Sequence, residues 1–136
     1  MIVGDYIAYE TKNILRQNGI NAWMAPESIP AGSDYGSEIP KALKSCSAFV
    51  ILLSKDAQNS RWIPKEIDGA INNDKIIIPF KIDNSDISES FGFRLGDSQR
   101  IEAYQRLSDA FLELINRLKE ILHINNESSL IETNIE

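Results

Sequence analysis

The chain has 136 residues, of which 43% are hydrophobic types, and a formal net charge of −6. This length and composition predict one globular domain with a single core, while the acidic balance and the lack of a Lys and Arg cluster argue against binding to nucleic acid. No apolar run reaches the roughly 18 residues that span a bilayer, and the first ten residues do not resemble a signal peptide. We therefore expect a cytoplasmic protein without membrane contact. Cys46 is the only cysteine, so it is predicted to be a buried structural thiol.

The first part of the chain predicts two helices separated by a short strand. Apolar residues at helical spacing indicate a helix that ends near Gly19, where a glycine cap belongs. Residues 20–25 predict a short strand, and residues 26–34 carry the residue types of a loop. A second apolar stripe follows, and its regular helix is expected to begin near Pro40, because a proline inside a helix removes a hydrogen bond.

The middle of the chain predicts two buried strands. Residues 48–53 are continuously apolar, which is typical of a parallel strand covered on both faces. Ser60 can cap a helix that runs to about Asn73. Residues 75–82 predict a second buried strand, in which Pro79 is expected to bend or end the regular pairing.

The last part of the chain predicts less regular structure followed by a long helix. Residues 84–96 are polar and are predicted to form a mobile loop, and residues 99–103 predict a short edge strand. Apolar residues at helical spacing across 107–121 predict a closing amphipathic helix. Residues 124–136 lose this periodicity and are predicted to be a flexible tail or linker.

Strands that alternate with helices predict an α/β fold, a three-layer sandwich with a mainly parallel sheet. Ligands of such sheets usually bind beyond the carboxyl ends of the strands. The pattern begins with a helix, however, and residues 1–3 are judged too short to form a strand. The first strand is therefore predicted to be missing.

Five segments in a fixed order resemble the TIR (Toll/interleukin-1 receptor) domains of bacterial proteins, over about residues 5–123. They are GINAWMAPESIPAGSD (19–34), LLS (52–54), SRWIPKE (60–66), IIIP (76–79) and QRIEAY (99–104). The resemblance implies a flavodoxin-like fold with strand order 2-1-3-4-5, so the missing strand would lie inside the sheet. Residues 1–123 are accordingly interpreted as an N-terminally truncated TIR domain.

The same resemblance implies an activity and a catalytic residue. Active TIR domains cleave the bond between nicotinamide and ribose in NAD⁺, which is their substrate, and no metal or other cofactor is expected. Glu66 occupies the position of the catalytic carboxylate, which can stabilise the positive charge that develops on the ribose. Trp62 lies four residues earlier, on the same side of the predicted helix, and would form an aromatic wall beside it. From the residues alone, a solvated glutamate beside a tryptophan in the core is the alternative.

Four further residues are candidates for substrate binding. Ser54 ends the first buried strand, where its hydroxyl could bind a ribose or phosphate oxygen or could cap a helix. Ser60 opens the helix that carries Glu66. The backbone amides of Gly32 and Ser33 could face phosphate or could only turn the chain.

The resemblance also implies partners and a biological setting. Contacts between TIR domains are expected. With the first strand missing, either residues 20–23 pair directly with residues 48–53 or, as we favour, a second copy covers the unpaired edge and the chain self-associates. The missing strand and its loop would also remove one wall of the pocket and so weaken NAD⁺ cleavage. In bacteria the resemblance implies antiphage defence signalling, with a linear or cyclic ADP-ribose product. The alternative is a non-catalytic interaction module that assembles through TIR–TIR contacts. An unrelated flavodoxin-like domain is disfavoured, because the sequence shows no acidic receiver cluster or flavin phosphate loop.

Overall fold

A computed structural model describes residues 1–4, 7–24 and 35–123, the last range without the side chains of 35–37. The predicted loop at 26–34 and the predicted tail at 124–136 lie outside these residues. The helices and strands within the described ranges are β1 (Ile2–Gly4), α1 (Ala8–Gln17), α2 (Tyr35–Ser45), β2 (Ala48–Leu53), α3 (Lys55–Gln58), α4 (Ile63–Asn72), β3 (Ile76–Lys81), α5 (Glu89–Leu95), β4 (Ile101–Glu102) and α6 (Leu107–Ile121).

The strands form one parallel sheet in the order β1-β2-β3-β4. On the other side of β1, Ile2 forms a parallel bridge with Met24, and its N–H donates to the carbonyl oxygen of Trp23 at 2.8 Å. The end of the predicted strand at 20–25 therefore lies beside β1. With this segment counted as the second strand of the chain, the sheet has the expected 2-1-3-4-5 order, and the α/β prediction is confirmed.

The prediction of a missing first strand is wrong. Ile2–Gly4 pairs with β2 in the register Ile2 to Val50 and Gly4 to Leu52, so it fills the slot inside the sheet. Three residues suffice because they have pairing partners along both edges and two buried side chains, whereas an isolated strand of this length would gain little. The reasons for self-association and for poor NAD⁺ cleavage that were drawn from an empty slot no longer hold. Residues 20–23 likewise do not pair directly with β2.

Helices cover both faces of the sheet. Alternate residues of β2 point to opposite faces. Ala48, Val50 and Leu52 belong to a core that includes residues of α1 and α6, whereas Phe49, Ile51 and Leu53 belong to a core with residues of α2 to α5. All six residues of β2 are buried, which accounts for the continuous apolar run. The three-layer arrangement, the edge strand β4 and the closing helix α6 are confirmed.

Two helices differ from the predictions. Helix α2 begins at Tyr35, and Pro40 lies inside it rather than at its start. The predicted loop at 84–96 contains α5, so that prediction is wrong for most of the segment. The Ser88 hydroxyl accepts the N–H of Phe91 at 3.2 Å, and the buried side chains of Phe91 and Leu95, one turn apart, hold the helix against the core.

Pro79 lies within β3 without ending it, contrary to the prediction. The N–H of Ile82 donates to Leu53, and the N–H of Ala103 donates to Lys81. Even-numbered residues of β3 thus direct their backbone groups to β2, and odd-numbered residues direct theirs to the β4 side. Pro79 is odd-numbered, so its missing N–H removes no bond of the β2–β3 ladder. It also removes no bond to β4, because β4 pairs only with the last two residues of β3. No helix in the described ranges is long and apolar enough to cross a bilayer.

The close pairing of β1 and β2 predicts a large effect of Gly4→Ala. Gly4 has φ +121°, and a Cβ there would lie 2.6 Å from the carbonyl oxygen of Leu52. We expect a loss of about 2–4 kcal/mol in the free energy of unfolding, measured by urea denaturation. Gly92→Ala is the matched control: a Cβ there meets open space inside α5, so it should leave stability unchanged or raise it by up to about 1 kcal/mol. Equal stability of the two variants would contradict the described pairing.

Candidate active site

Glu66 is buried near the start of α4. The helix is preceded by Ser60, whose hydroxyl accepts the N–H groups of Trp62 (3.2 Å) and Ile63 (3.3 Å), and Pro64 lies in its first turn, where no intrahelical N–H bond is lost. Ile63 and Ile67 pack into the core between α4 and the sheet. Glu66 is only 6% exposed, so it is far from the solvated glutamate of the alternative interpretation.

A cavity of about 250 Å³ lies between α2 and α4, and Glu66 is part of its wall. We call it the α2–α4 groove. It is lined by Ile39, Pro40, Leu43 and Lys44 on α2 and by Trp62, Lys65, Glu66, Gly69 and Asn73 on or beside α4. A larger cavity of about 590 Å³ lies near the amino ends of β1 and β2. Its lining does not include Ser54, Ser60, Trp62 or Glu66, and ligands seldom bind at this end of a parallel sheet. We therefore assign the candidate site to the smaller groove.

Gly69 leaves room for the Leu43 side chain of α2. A Cβ at this position would lie 2.7 Å from Cδ1 of Leu43 on α2, which is closer than real contacts allow. The glycine therefore lets α2 pack across α4 one turn after Glu66. This packing contributes to the exclusion of water from the Glu66 side chain.

The Glu66 carboxyl is poorly solvated. Its Oε2 atom is buried and has no hydrogen-bond partner among the described residues. Burial raises the pKa of Glu66 from 4.5 to about 7. At neutral pH the neutral and charged forms are therefore both populated. A buried polar atom without a partner costs stability, and such groups in a cavity are often kept for binding or catalysis.

Trp62 stands at the edge of the groove with half of its side chain exposed. It lies one turn before Glu66, and the structure brings these two predicted residues together in one cavity. Its exposure does not match the alternative in which it is buried in the core. The ammonium group of Lys65 lies 5.0 Å from the centroid of the Trp62 ring, a cation–π distance.

The other predicted binding residues do not line the groove within the part of the chain that is described. Ser54 is buried, and its hydroxyl accepts the N–H of Ala57 at 3.0 Å, so it caps α3. Ser60 precedes α4 as described above. Both serines therefore fit the capping role that the sequence left open. Gly32 and Ser33 lie outside the described residues.

Lys44, Lys65, Gly69 and Asn73 were not predicted as site residues. For α4 a signal was present: residues 62, 66, 69 and 73 are spaced by four, three and four, so they follow one stripe of a helix. The contribution of Lys44 from α2 carried no local signal, because it depends on how the two helices cross.

Two comparisons place the chain among known proteins. Residues 5–118 match the family model of the TIR domain. A stretch of 59 residues is 30% identical to a protein of Methanobrevibacter olleyae named "Probable 2' cyclic ADP-D-ribose synthase". This stretch covers 43% of the chain and 17% of the relative, so the chain spans less than a fifth of that protein.

The raised pKa predicts how Glu66→Gln changes stability with pH. Because folding raises the pKa from 4.5 to about 7, the contribution of Glu66 is most favourable below pH 4.5 and is lost as pH rises through 7. Glutamine does not titrate, so the free energy of unfolding of the variant should increase relative to that of the wild type over this range. The increase should be on the order of 1–3 kcal/mol above pH 7. Urea denaturation from pH 4.5 to 8.5 measures the difference.

Glu10→Gln is the control for this measurement, because Glu10 is an exposed glutamate on α1. Its effect on stability should stay nearly constant over the same pH range. Parallel stability curves for wild type and Glu66→Gln would show that Glu66 is not buried as described.

Proposed function

The chain belongs to the TIR domain family, and we propose that it cleaves the bond between nicotinamide and ribose in NAD⁺, with Glu66 as the catalytic residue. The observation that carries the proposal is the buried carboxyl of Glu66, whose Oε2 has no hydrogen-bond partner among the described residues, in a groove beside an exposed indole ring. The name of the Methanobrevibacter relative, a cyclic ADP-ribose synthase, supports chemistry on an ADP-ribosyl group.

The proposed reaction suits a carboxylate in a poorly solvated place. As the glycosidic bond breaks, its electron pair moves to the ring nitrogen of nicotinamide, which leaves as a neutral molecule. The positive charge moves to the ribose, where a Glu66 carboxylate stabilises it. At about 4 Å and an effective dielectric near 20, this pair is worth roughly 4 kcal/mol, close to a thousandfold in rate if it acts only in the transition state.

The second half of the reaction determines the product. Water that attacks the ribose loses a proton and yields linear ADP-ribose, whereas attack by a nucleophile within the same ADP-ribosyl group yields a cyclic product. No proton needs to be supplied to the leaving group, so the deprotonated form of Glu66 is the active one. We also propose a role for this protein in antiphage defence signalling, which rests on the family resemblance.

The groove and Trp62 support a binding mode for part of the substrate. A cavity of about 250 Å³ is smaller than the roughly 300–1,000 Å³ of sites that enclose drug-sized ligands, so it would hold one end of the dinucleotide. The exposed indole of Trp62 offers a face on which a nicotinamide or adenine ring can stack.

A second candidate function is a non-catalytic interaction module. Phe93 on α5 is 90% exposed and Ile71 on α4 is 43% exposed, so each presents an apolar side chain that another protein could contact. Concentration-dependent self-association without release of nicotinamide would favour this candidate. Incubation with NAD⁺ and chromatography of the products tests the first candidate directly.

Glu66→Gln should lower NAD⁺ cleavage by at least about a hundredfold, because it keeps the shape of the side chain but removes its charge. Glu10→Gln, with the same chemical change on the surface, should leave the rate unchanged. In the wild type, kcat/KM should rise with pH with an apparent pKa of about 7, since the carboxylate is required. Activity retained by Glu66→Gln, as measured by nicotinamide release, would disprove the assignment.

Trp62→Ala should raise the KM for NAD⁺ or change the ratio of cyclic to linear product, with a smaller effect on kcat than that of Glu66→Gln. The reason is that a stacked ring positions the substrate and does not take part in bond cleavage. Phe93→Ala removes an aromatic ring that lies elsewhere on the surface and should leave both quantities unchanged. If Trp62→Ala is unfolded by circular dichroism, Trp62 has a structural role instead.

A further inference from the structure

The charge around the α2–α4 groove differs from that of the whole chain. The chain carries a formal net charge of −6. The described ionisable side chains that line the groove are Lys44, Lys65 and Glu66, and Glu66 is partly neutral near pH 7 because burial raises its pKa to about 7. The described lining of the groove therefore carries a net positive charge on an otherwise acidic domain, which favours binding of a ligand with an anionic part.

Lys65 occupies a special place among these residues. It is exposed, it directly precedes Glu66, and its ammonium group lies 5.0 Å from the centroid of the Trp62 ring. A cation–π contact at an exposed ring is weak, so the lysine side chain can leave it at little cost. Lys44 lies across the groove on α2, and the described structure shows no ring contact for it.

A dinucleotide substrate such as NAD⁺ carries both a positively charged ring and a negatively charged diphosphate into the groove. The oxidised nicotinamide ring is a cation, so it cannot share the Trp62 ring with an ammonium group without repulsion. The diphosphate is an anion, and an ammonium group that contacts phosphate oxygens forms charge-assisted hydrogen bonds. Lys65 therefore has a reason to leave the ring and a better partner to reach.

On the basis of the proposed function, we propose that Lys65 is a substrate-binding residue that exchanges its contact with the Trp62 ring for the diphosphate when the nicotinamide ring stacks on Trp62. This role predicts that the groove binds a pyridinium dinucleotide in preference to an uncharged nucleoside.

The first test measures binding of ADP and adenosine by NMR titration, which needs no catalysis. Lys65→Gln should weaken ADP binding by at least about fivefold and leave adenosine binding unchanged, whereas Lys65→Arg should stay within about twofold of the wild type for ADP. Lys119→Gln is the control, because Lys119 lies on α6, which covers the opposite face of the sheet. Unchanged ADP binding by Lys65→Gln would overturn the proposal.

The second test uses 1-methylnicotinamide, a pyridinium cation without phosphate. Lys65→Gln should bind this probe more tightly than the wild type, because the competing cation on Trp62 is gone, and the gain should exceed that of Lys44→Gln. Opposite effects of one substitution on ADP and on 1-methylnicotinamide are not expected from partial unfolding. An equal gain in both lysine variants, or no binding of the probe by any variant, would overturn the exchange.

The two proposals can fail separately. Glu66→Gln should lower nicotinamide release by at least about a hundredfold, while ADP binding and its dependence on Lys65 persist. If the protein binds ADP through Lys65 but releases no nicotinamide, the anion-binding role of Lys65 stands and the proposed function is disproved. If the protein cleaves NAD⁺ but Lys65→Gln binds ADP as well as the wild type, the proposed function stands and the role of Lys65 is disproved.

Discussion

The central strand β2 is the constraint on which the rest of the structure depends. All six of its residues are buried, and it pairs with β1 along one edge and β3 along the other. Leaving a buried ladder unpaired would cost roughly 1–3 kcal/mol per backbone group, which a domain with about 5–15 kcal/mol of stability cannot sustain over a whole strand. The short strand β1, which pairs with three residues of β2, is therefore needed in addition to β3.

The position of Glu66 follows from the same strand. Phe49, Ile51 and Leu53 of β2 contribute to the core in which Ile63 and Ile67 of α4 are buried, and this packing fixes the rotation of α4. Glu66 then lies between the core face of α4 and its solvent face. Helix α2, which approaches closely at Gly69, lines the groove beside it. The burial of the carboxyl is thus a result of how two helices cross over one face of the sheet.

A buried carboxyl of this kind opposes folding and favours the proposed chemistry for the same physical reason. Removal from water raises the free energy of the charged form, which is why the pKa of Glu66 is raised to about 7. When a cation forms beside the Glu66 carboxylate, their direct attraction lowers the free energy of the charged form again, because little water is present to screen the two charges. Sites that carry such groups commonly trade stability for activity. The neighbouring Lys65 contacts the Trp62 ring, and Oε2 of Glu66 has no hydrogen-bond partner among the described residues.

The sequence by itself determined the helices α1, α2, α4 and α6, the two buried strands and the pairing of Trp62 with Glu66, because periodicity and residue spacing are local properties. It did not reveal β1, since a strand of three residues shows no period and depends on partners far along the chain. The polar segment around α5 likewise hid a helix whose stability comes from the contacts of Phe91 and Leu95 with a distant core. Only the tertiary structure decided that Glu66 is buried and that Lys65 covers Trp62, because burial and electrostatics depend on which elements pack together.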